Sequence, residues 1–281
     1  MKRALVTRLM ERQDPRLVFM TGDVGFNLLE PLQEQLGPRF INAGIAEQNM
    51  VGAAAGLADT GLRPWVYTIA PFLYARAFEQ IRNDVCLPNR PVTLVGAGGG
   101  YGYGVMGPSH HALEDYGVLC ALPNLKVYIP AFDEDIPTIV DLQMGGGPAY
   151  IRLDKSNKPF PYVAGPFDQW RRVAAGVKWR PVDVVCGPLA GNMVYAPSHS
   201  ALWILSQLPL IPEEVPTELW DCEHLTVTEE HGYMGSAGMQ LLHALHSIGH
   251  PPKKWTHRCA WGYLSGTYGS QDFHRRECGL I

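Results

Sequence analysis

No stretch of the 281 residues approaches the run of about 20 apolar residues that a membrane span requires, so no membrane association is expected. Lys2 and Arg3 are not followed by an apolar segment, which predicts no signal peptide. Positive charge is also scarce: 23 Lys and Arg stand against 27 Asp and Glu, and the net charge of −4 gives no electrostatic case for binding nucleic acid. The six cysteines lie far apart with no C-x-x-C, which excludes a dense disulfide framework and predicts scattered buried thiols in a cytoplasmic protein. Neither a G-x-S-x-G nucleophile elbow nor a Walker-type phosphate loop occurs.

What is present reads as α/β. Short apolar strands are predicted at Leu17–Met20, Phe40–Ile41, Arg63–Ile69, Pro91–Val95, Lys126–Ile129 and Ala149–Leu153. Helical patterns fall at 2–14, 28–36, 47–60 and 72–85. Strands alternating with helices imply a mostly parallel sheet covered on both faces, with ligands gathering at the loops that leave the strand C-termini. Asp23, Glu47, Phe72 and the loop after Val95 all take that kind of position. Lys, Ser, Asn, Pro and Gly dominate from Asp154 to Gly165, which suggests a linker. The expected organisation is thus two three-layer α/β/α domains, 1–160 and 175–281, joined by a linker over 161–174. In the second domain, strands are predicted at 182–186 and 225–228 and helices at 198–208 and 236–247. The tail 255–281 shows no period.

One carboxylate dominates the first half. Glu47 stands between a short apolar run ending in Gly44 and a segment of small apolar residues interrupted by Gly52 and Gly56, which suggests a helix packed closely on neighbouring backbone. Burying a lone acid is costly without a partner or a function. A catalytic or ligand-binding carboxylate and a Glu capping its own helix both fit.

The loop from Gly96 to Asp115 is the second signal. Gly102, Gly104 and Gly107 make a formal G-x-G-x-x-G, but several residues separate it from the strand and Pro108-Ser109 follow it, which disfavours a dinucleotide site. A mobile functional loop fits better, with Tyr101 and Tyr103 as contact surface. Ser109 is the expected N-cap of a helix carrying His110, an acid/base or hydrogen-bonding candidate beside a purely structural reading. His110 with Glu114 and His111 with Asp115 have an i, i+4 spacing, but no further ligand completes a metal site. Phe72, Tyr74, Arg76, Glu79 and Arg82 alone would read as a helix with solvated charges, and Glu229-Glu230-His231 as charges in water at a strand end.

Taken together, Gly22-Asp23, Gly44-Ile-Ala-Glu-Gln48 with Ala54-Ala-Gly-Leu-Ala58, Pro71-Phe-Leu and Gly107-Pro-Ser-His-His111 resemble the transketolase family in order and spacing. Deoxyxylulose-phosphate synthase shares the pattern. The resemblance is to the pyrimidine-binding and C-terminal domains. It is strong over about residues 4–155 and weaker where Val227-Thr-Glu-Glu-His231 and Gly235-Ser-Ala-Gly resemble the last domain.

This resemblance implies a thiamine diphosphate site. Glu47 would hydrogen-bond the aminopyrimidine ring nitrogen, favouring the tautomer that removes the thiazolium proton. Phe72 matches the aromatic pyrimidine-stacking position, with Tyr74 and Arg76 sharing that surface. His110 matches the histidine that handles the substrate carbonyl. His111, Tyr101 and Met106 would lie near the substrate, and Arg152 or Lys155 falls near the family's phosphate anchor. The family's diphosphate-binding domain and its metal motif have no counterpart here. The expectation is therefore that a separate subunit holds the diphosphate and its Mg2+ (or Ca2+), in an α2β2 heterotetramer acting on sugars or sugar phosphates. Met106 stands where transketolases typically carry an aspartate that contacts a sugar hydroxyl, which points to a deoxy or otherwise modified sugar. The runner-up readings are a 2-oxo acid dehydrogenase β subunit or related acyloin-forming enzyme, and a silent partner subunit.

Overall fold

The computed structural model describes residues 1–155, 157–175, 181–195 and 200–281. The first half runs α1 (Lys2–Arg12), β1 (Leu17–Thr21), α2 (Glu30–Leu36), β2 (Phe40–Asn42), α3 (Glu47–Asp59) and β3 (Arg63–Ile69). It continues through α4 (Ala70–Tyr74), α5 (Phe78–Gln80), β4 (Thr93–Ala97), α6 (Asp115–Leu119), β5 (Lys126–Tyr128), α7 (Asp135–Gln143) and β6 (Ala149–Leu153). The second half comprises β7 (Trp170–Ala174), β8 (Val182–Cys186), α8 (Ala190–Met193), β9 (Ala201–Leu205) and β10 (Gln207–Leu208). After these come β11 (Leu225–Thr228), α9 (Ala237–Ser247), β12 (Trp255–Arg258) and α10 (Gln271–Glu277).

Two mostly parallel sheets result. The larger has the order β10-β5-β6-β4-β3-β1-β2, and the smaller β12-β11-β8-β9-β7. Among the described residues, only β10 on β5 and β7 on β9 pair antiparallel. The central strands are mostly apolar because both faces are covered: all five residues of β1, β4 and β6 are buried, with Arg152 of β6 the one charged residue among them. One cluster joins Val18, Met50, Ala54 and Val66 to Val184, Leu205, Val227 and Leu241, so the two halves share a continuous core. Another packs Leu5 and Leu9 of α1, Leu32 of α2 and Ile136 and Ile139 of α7 on the opposite face of the larger sheet.

The departures from expectation are local. The helix predicted over 198–208 is strand: β9 pairs parallel with β8, and β10 returns to the edge of the other sheet (198 and 199 lie outside the described residues). The run Ala201-Leu-Trp-Ile-Leu205 is uniformly apolar, so no periodicity separates a buried strand from a helix there. The segment 161–174 ends in β7, whose partner β9 lies about thirty residues further on. The helix predicted over 72–85 is broken into α4, α5 and a π-type turn at Ile81–Cys86. Ser109 caps no helix, since α6 begins at Asp115. Gly52 and Gly56 of α3 do not meet neighbouring backbone: a Cβ at either would find nothing within 4 Å, while Met50, Val51, Ala54, Ala55 and Ala58 form the buried face.

Candidate functional site

The loops after β1, β2, β3 and β4 all leave the C-terminal edge of the larger sheet, and each delivers part of one site. Glu47 is the first residue of α3 and only 3% exposed. It does not cap its own helix. Its Oε2 accepts a hydrogen bond from Arg76 Nη1 at 3.0 Å, across the gap between α3 and the break after α4. That break turns Arg76 out of a helix surface and onto its neighbours. The guanidinium carbon lies 3.9 Å from the centroid of the Phe72 ring, a cation–π contact. Arg76 and the positive end of α3 together offset the cost of burying the Glu47 charge.

Phe72 meets His110 edge-on, with ring centroids 5.1 Å apart, and Tyr103 also meets His110 edge-on, at 5.7 Å. The His110 Nδ1 shares a hydrogen bond of 3.0 Å with the Ser109 hydroxyl. A continuous line of contacts therefore runs Glu47–Arg76–Phe72–His110–Tyr103. Beside it opens a recess of about 400 Å3, lined by Ile45, Ala46, Glu47, Gln48, Asn49 and Arg76. Among the described residues, Arg76 is the one donor to the Glu47 carboxylate, and it reaches Oε2, not Oε1. The buried Thr68 hydroxyl nearby is unpaired: a Cβ on Gly22 would sit 3.0 Å from Thr68 Oγ1 and 3.6 Å from Glu47 Oε1. Asp23, in the next turn, is held by Asn42 Nδ2 at 2.9 Å.

Other candidates are occupied by the fold. Tyr74 is buried and donates its hydroxyl to Glu114 at 2.9 Å; burial and that carboxylate push its phenol far above the usual range. Arg152 is buried, with Nε on Asp115 at 2.8 Å and Nη2 on the Ala112 and Glu230 carbonyls, so it is no free phosphate anchor. Tyr101 is fully buried and donates to the Gly262 carbonyl at 2.7 Å. His111 uses both ring nitrogens, Nε2 to the Gly104 carbonyl at 2.7 Å and Nδ1 to the Tyr263 hydroxyl at 2.8 Å. A carbonyl only accepts, so Nε2 carries the proton, and burial depresses the basicity of the ring. Glu114 accepts from Tyr74, and Asp115 Oδ2 accepts from Tyr150 and Arg152; among the described residues no group of three or more His, Cys, Asp or Glu is placed to hold a metal. Met106 is 55% exposed on the same loop as His110. Lys155 lines a separate recess of about 350 Å3 with Lys2, Arg3, Tyr103, Asp133 and Asp154.

Residues 3–161 match the family model described as the transketolase pyrimidine binding domain. The chain belongs to the transketolase family. Among curated relatives, this transketolase-family chain is 30% identical over 236 residues to a subunit of the apulose-4-phosphate transketolase of Actinobacillus succinogenes, covering 79% of this chain and 75% of that protein. It is 41% identical over 128 residues to 1-deoxy-D-xylulose-5-phosphate synthase of Desulfotalea psychrophila, covering 45% of this chain and 20% of that longer protein. A solved structure titled a split gene transketolase, inactive beta4 tetramer, superposes with a TM-score of 0.80 at 26% identity, covering 99% of this chain and 92% of that one. Its sheets and flanking helices are those of the α/β fold described above.

Sequence reasoning misses the seam formed by Glu229, Glu230 and His231. All three are buried, not solvated. Tyr116, Arg275 and Gly117, which bond to them, lie tens to more than a hundred residues away, and nothing local signals these pairings.

Proposed function

We propose that this chain is the pyrimidine-binding subunit of a split, thiamine-diphosphate-dependent transketolase-like enzyme that transfers a two-carbon ketol unit from a ketose to an aldose. The observation that carries this reading is the contact line from Glu47 through Arg76 and Phe72 to His110 at the C-terminal edge of the larger sheet. The residues suit thiamine: a buried carboxylate with one oxygen unpaired faces a recess beside an aromatic ring, next to an unpaired buried hydroxyl.

When bound, thiamine diphosphate supplies a nucleophilic carbon and an electron sink for cleaving the bond beside the donor carbonyl. Glu47 would hold the aminopyrimidine ring nitrogen through the oxygen that Arg76 leaves free. Arg76 keeps the other oxygen fixed, so the carboxyl points one way. Phe72 supplies an aromatic platform for the pyrimidine. His110, in contact with Phe72 and Tyr103, would exchange a proton with the substrate carbonyl or hydroxyl oxygen. Lys155, with Lys2 and Arg3 set against Asp133 and Asp154 in the second recess, would be the candidate contact for a substrate phosphate. A sugar phosphate agrees with the name of the Actinobacillus relative, and the exposed thioether of Met106 suits a sugar that lacks or has altered the hydroxyl usually held there.

The proposed partner is a separate subunit carrying the diphosphate-binding domain and its Mg2+ or Ca2+, in an α2β2 heterotetramer in the cytoplasm. Support comes from the Actinobacillus relative, whose name makes it one subunit of its enzyme, and from the split-gene neighbour. Of this chain, residues 1–160 would carry the pyrimidine site and 175–281 the C-terminal domain. A second reading, ketol formation from pyruvate, draws on the synthase relative.

The test is to purify the chain with its diphosphate-domain partner and assay two-carbon transfer from ketose phosphates. Transfer should appear with thiamine diphosphate and vanish in Glu47→Ala. Full activity in that variant would refute the assignment. Decarboxylation of pyruvate with no ketose cleavage would favour the second reading, and failure of the cofactor to bind the complex would leave a silent subunit.

A further inference from the structure

The glycine-rich loop that carries Met106 and His110 closes its own turns, with the nitrogens of Gly104, Met106, Gly107 and His110 each bonded to the carbonyl three residues before, but such local bonds do not set where the loop stands on the fold. Its ends are tied by Gly100 and Ala112, which exchange backbone hydrogen bonds at 3.0 and 2.9 Å. Much of what else seats it comes from the C-terminal tail. Gly104 has φ +50, and a Cβ there would lie 3.1 Å from the Gly269 carbonyl and 3.2 Å from the Gln271 nitrogen, so the loop backbone rests directly on the start of α10. Gly107, at φ +73, lies under the ring of Tyr268. The glycine spacing that mimics a dinucleotide fingerprint thus serves close approach between two segments of one chain.

Two side-chain ties reinforce this seat. The Tyr101 ring stacks on His274 with centroids 4.7 Å apart. His111 is held on one side by the Tyr263 hydroxyl and on the other holds the Gly104 carbonyl. Beneath them, Glu230 gathers the loop and the tail together: its Oε1 accepts from the Tyr101 nitrogen at 2.7 Å and from Gln271 Nε2 at 3.0 Å, and its Oε2 accepts from Arg275 Nε at 2.6 Å.

We propose that the tail 259–280 is the positioning element of the substrate-side loop, and that the Tyr263–His111–Gly104 relay is the pin that sets where His110 and Met106 stand. Tyr263 and His111 act through other residues and touch no substrate. The loop and the tail are about 150 residues apart in sequence, so the tail couples the smaller sheet to the site on the larger one. The proposal rests on the functional reading above only where it speaks of substrate; the seating itself stands without it.

The first measurement is hydrogen–deuterium exchange on the full chain carrying Tyr263→Phe, which deletes one hydroxyl and keeps the ring. Amides over 101–110 should exchange at least tenfold faster, with those of β3, β6 and β11 unchanged. Tyr268→Ala, at an exposed ring over Gly107, should give a smaller acceleration confined to the same segment, and it serves if the first variant does not fold. Unchanged exchange over 101–110 in the folded variants would overturn the proposal. In the complex with the diphosphate-domain partner, Tyr263→Phe should lower kcat at least fivefold at unaltered cofactor affinity, because Glu47 lies on a different element. A parallel loss of cofactor affinity would mean general damage and would also overturn it. A wild-type complex without two-carbon transfer would sink the functional reading and leave the exchange result standing.

Discussion

Glu229 and Glu47 are both buried carboxylates beyond the C-terminal ends of parallel strands, yet their surroundings differ in kind. Glu229, at the end of β11, is enclosed: Tyr116 and the Ala237 nitrogen donate to one oxygen, the Gly238 nitrogen and His257 Nε2 to the other. Burial pushes its carboxyl up, but the His257 bond and the neighbouring His231 outweigh it and hold the group below the usual range. Glu47 has one donor, a half-exposed arginine, and a recess in front of its other oxygen. A buried charge with a complete shell of partners holds the fold together. A buried charge with a shell left incomplete on the open side is arranged for something that arrives from outside.

This contrast can be broken most sharply by Glu47→Gln. In the assembled enzyme, turnover should fall by roughly 10²- to 10⁴-fold, the scale of a lost acid/base function. The unfolding free energy of the chain should move by no more than about 1 kcal/mol, because the remaining partner is half in water. A large stability loss with little kinetic effect would place Glu47 with the seam residues instead.

Arg152→Met should do the reverse. Removing this buried guanidinium strands Asp115 and the carbonyls it serves, at a cost of about 3–5 kcal/mol in denaturant unfolding. Asp154 sharpens the comparison through pH. Burial, and then the nearby Glu230 charge, raise its carboxyl from 3.8 to about 6. The folded state therefore binds this proton more tightly than the unfolded one, so its stabilising contribution is complete below about pH 4 and fades as pH rises through about 6. Asp154→Asn should flatten that slope in unfolding free energy measured between about pH 4 and 7. Tyr74→Phe should have the smallest effect, about 1 kcal/mol, because its partner Glu114 can turn to water.

Much of the fold is legible in the residues alone, and the failures share a cause. β3, β6, β8 and β11 match their predicted bounds because each is a short run rich in apolar and β-branched residues between loop signals. Glu47, Phe72 and His110 come together because their positions at strand ends follow from the alternating pattern. The helix reading of 198–208 fails where pattern is silent about period, and α7 goes without any prediction. Arg152, Tyr101 and His111 read as substrate contacts because they flank the right motifs. Their actual partners, Asp115, Gly262 and Tyr263, belong to other elements, and pairings at such distance in sequence leave no local trace. Glu230 is misread for the same reason.

The two residues of β10 also decide how the molecule can be divided. Gln207 and Leu208 cover the outer edge of β5, and the Ser206 carbonyl accepts from the Ile129 nitrogen. A chain cut after residue 160 would carry the whole Glu47 site but expose that edge, a bare row of backbone donors and acceptors of the kind that recruits other strands. The boundary between the halves in sequence is therefore not a boundary in the hydrogen-bonded sheet, and the first half depends on the second for its solubility as well as for the seat of its loop.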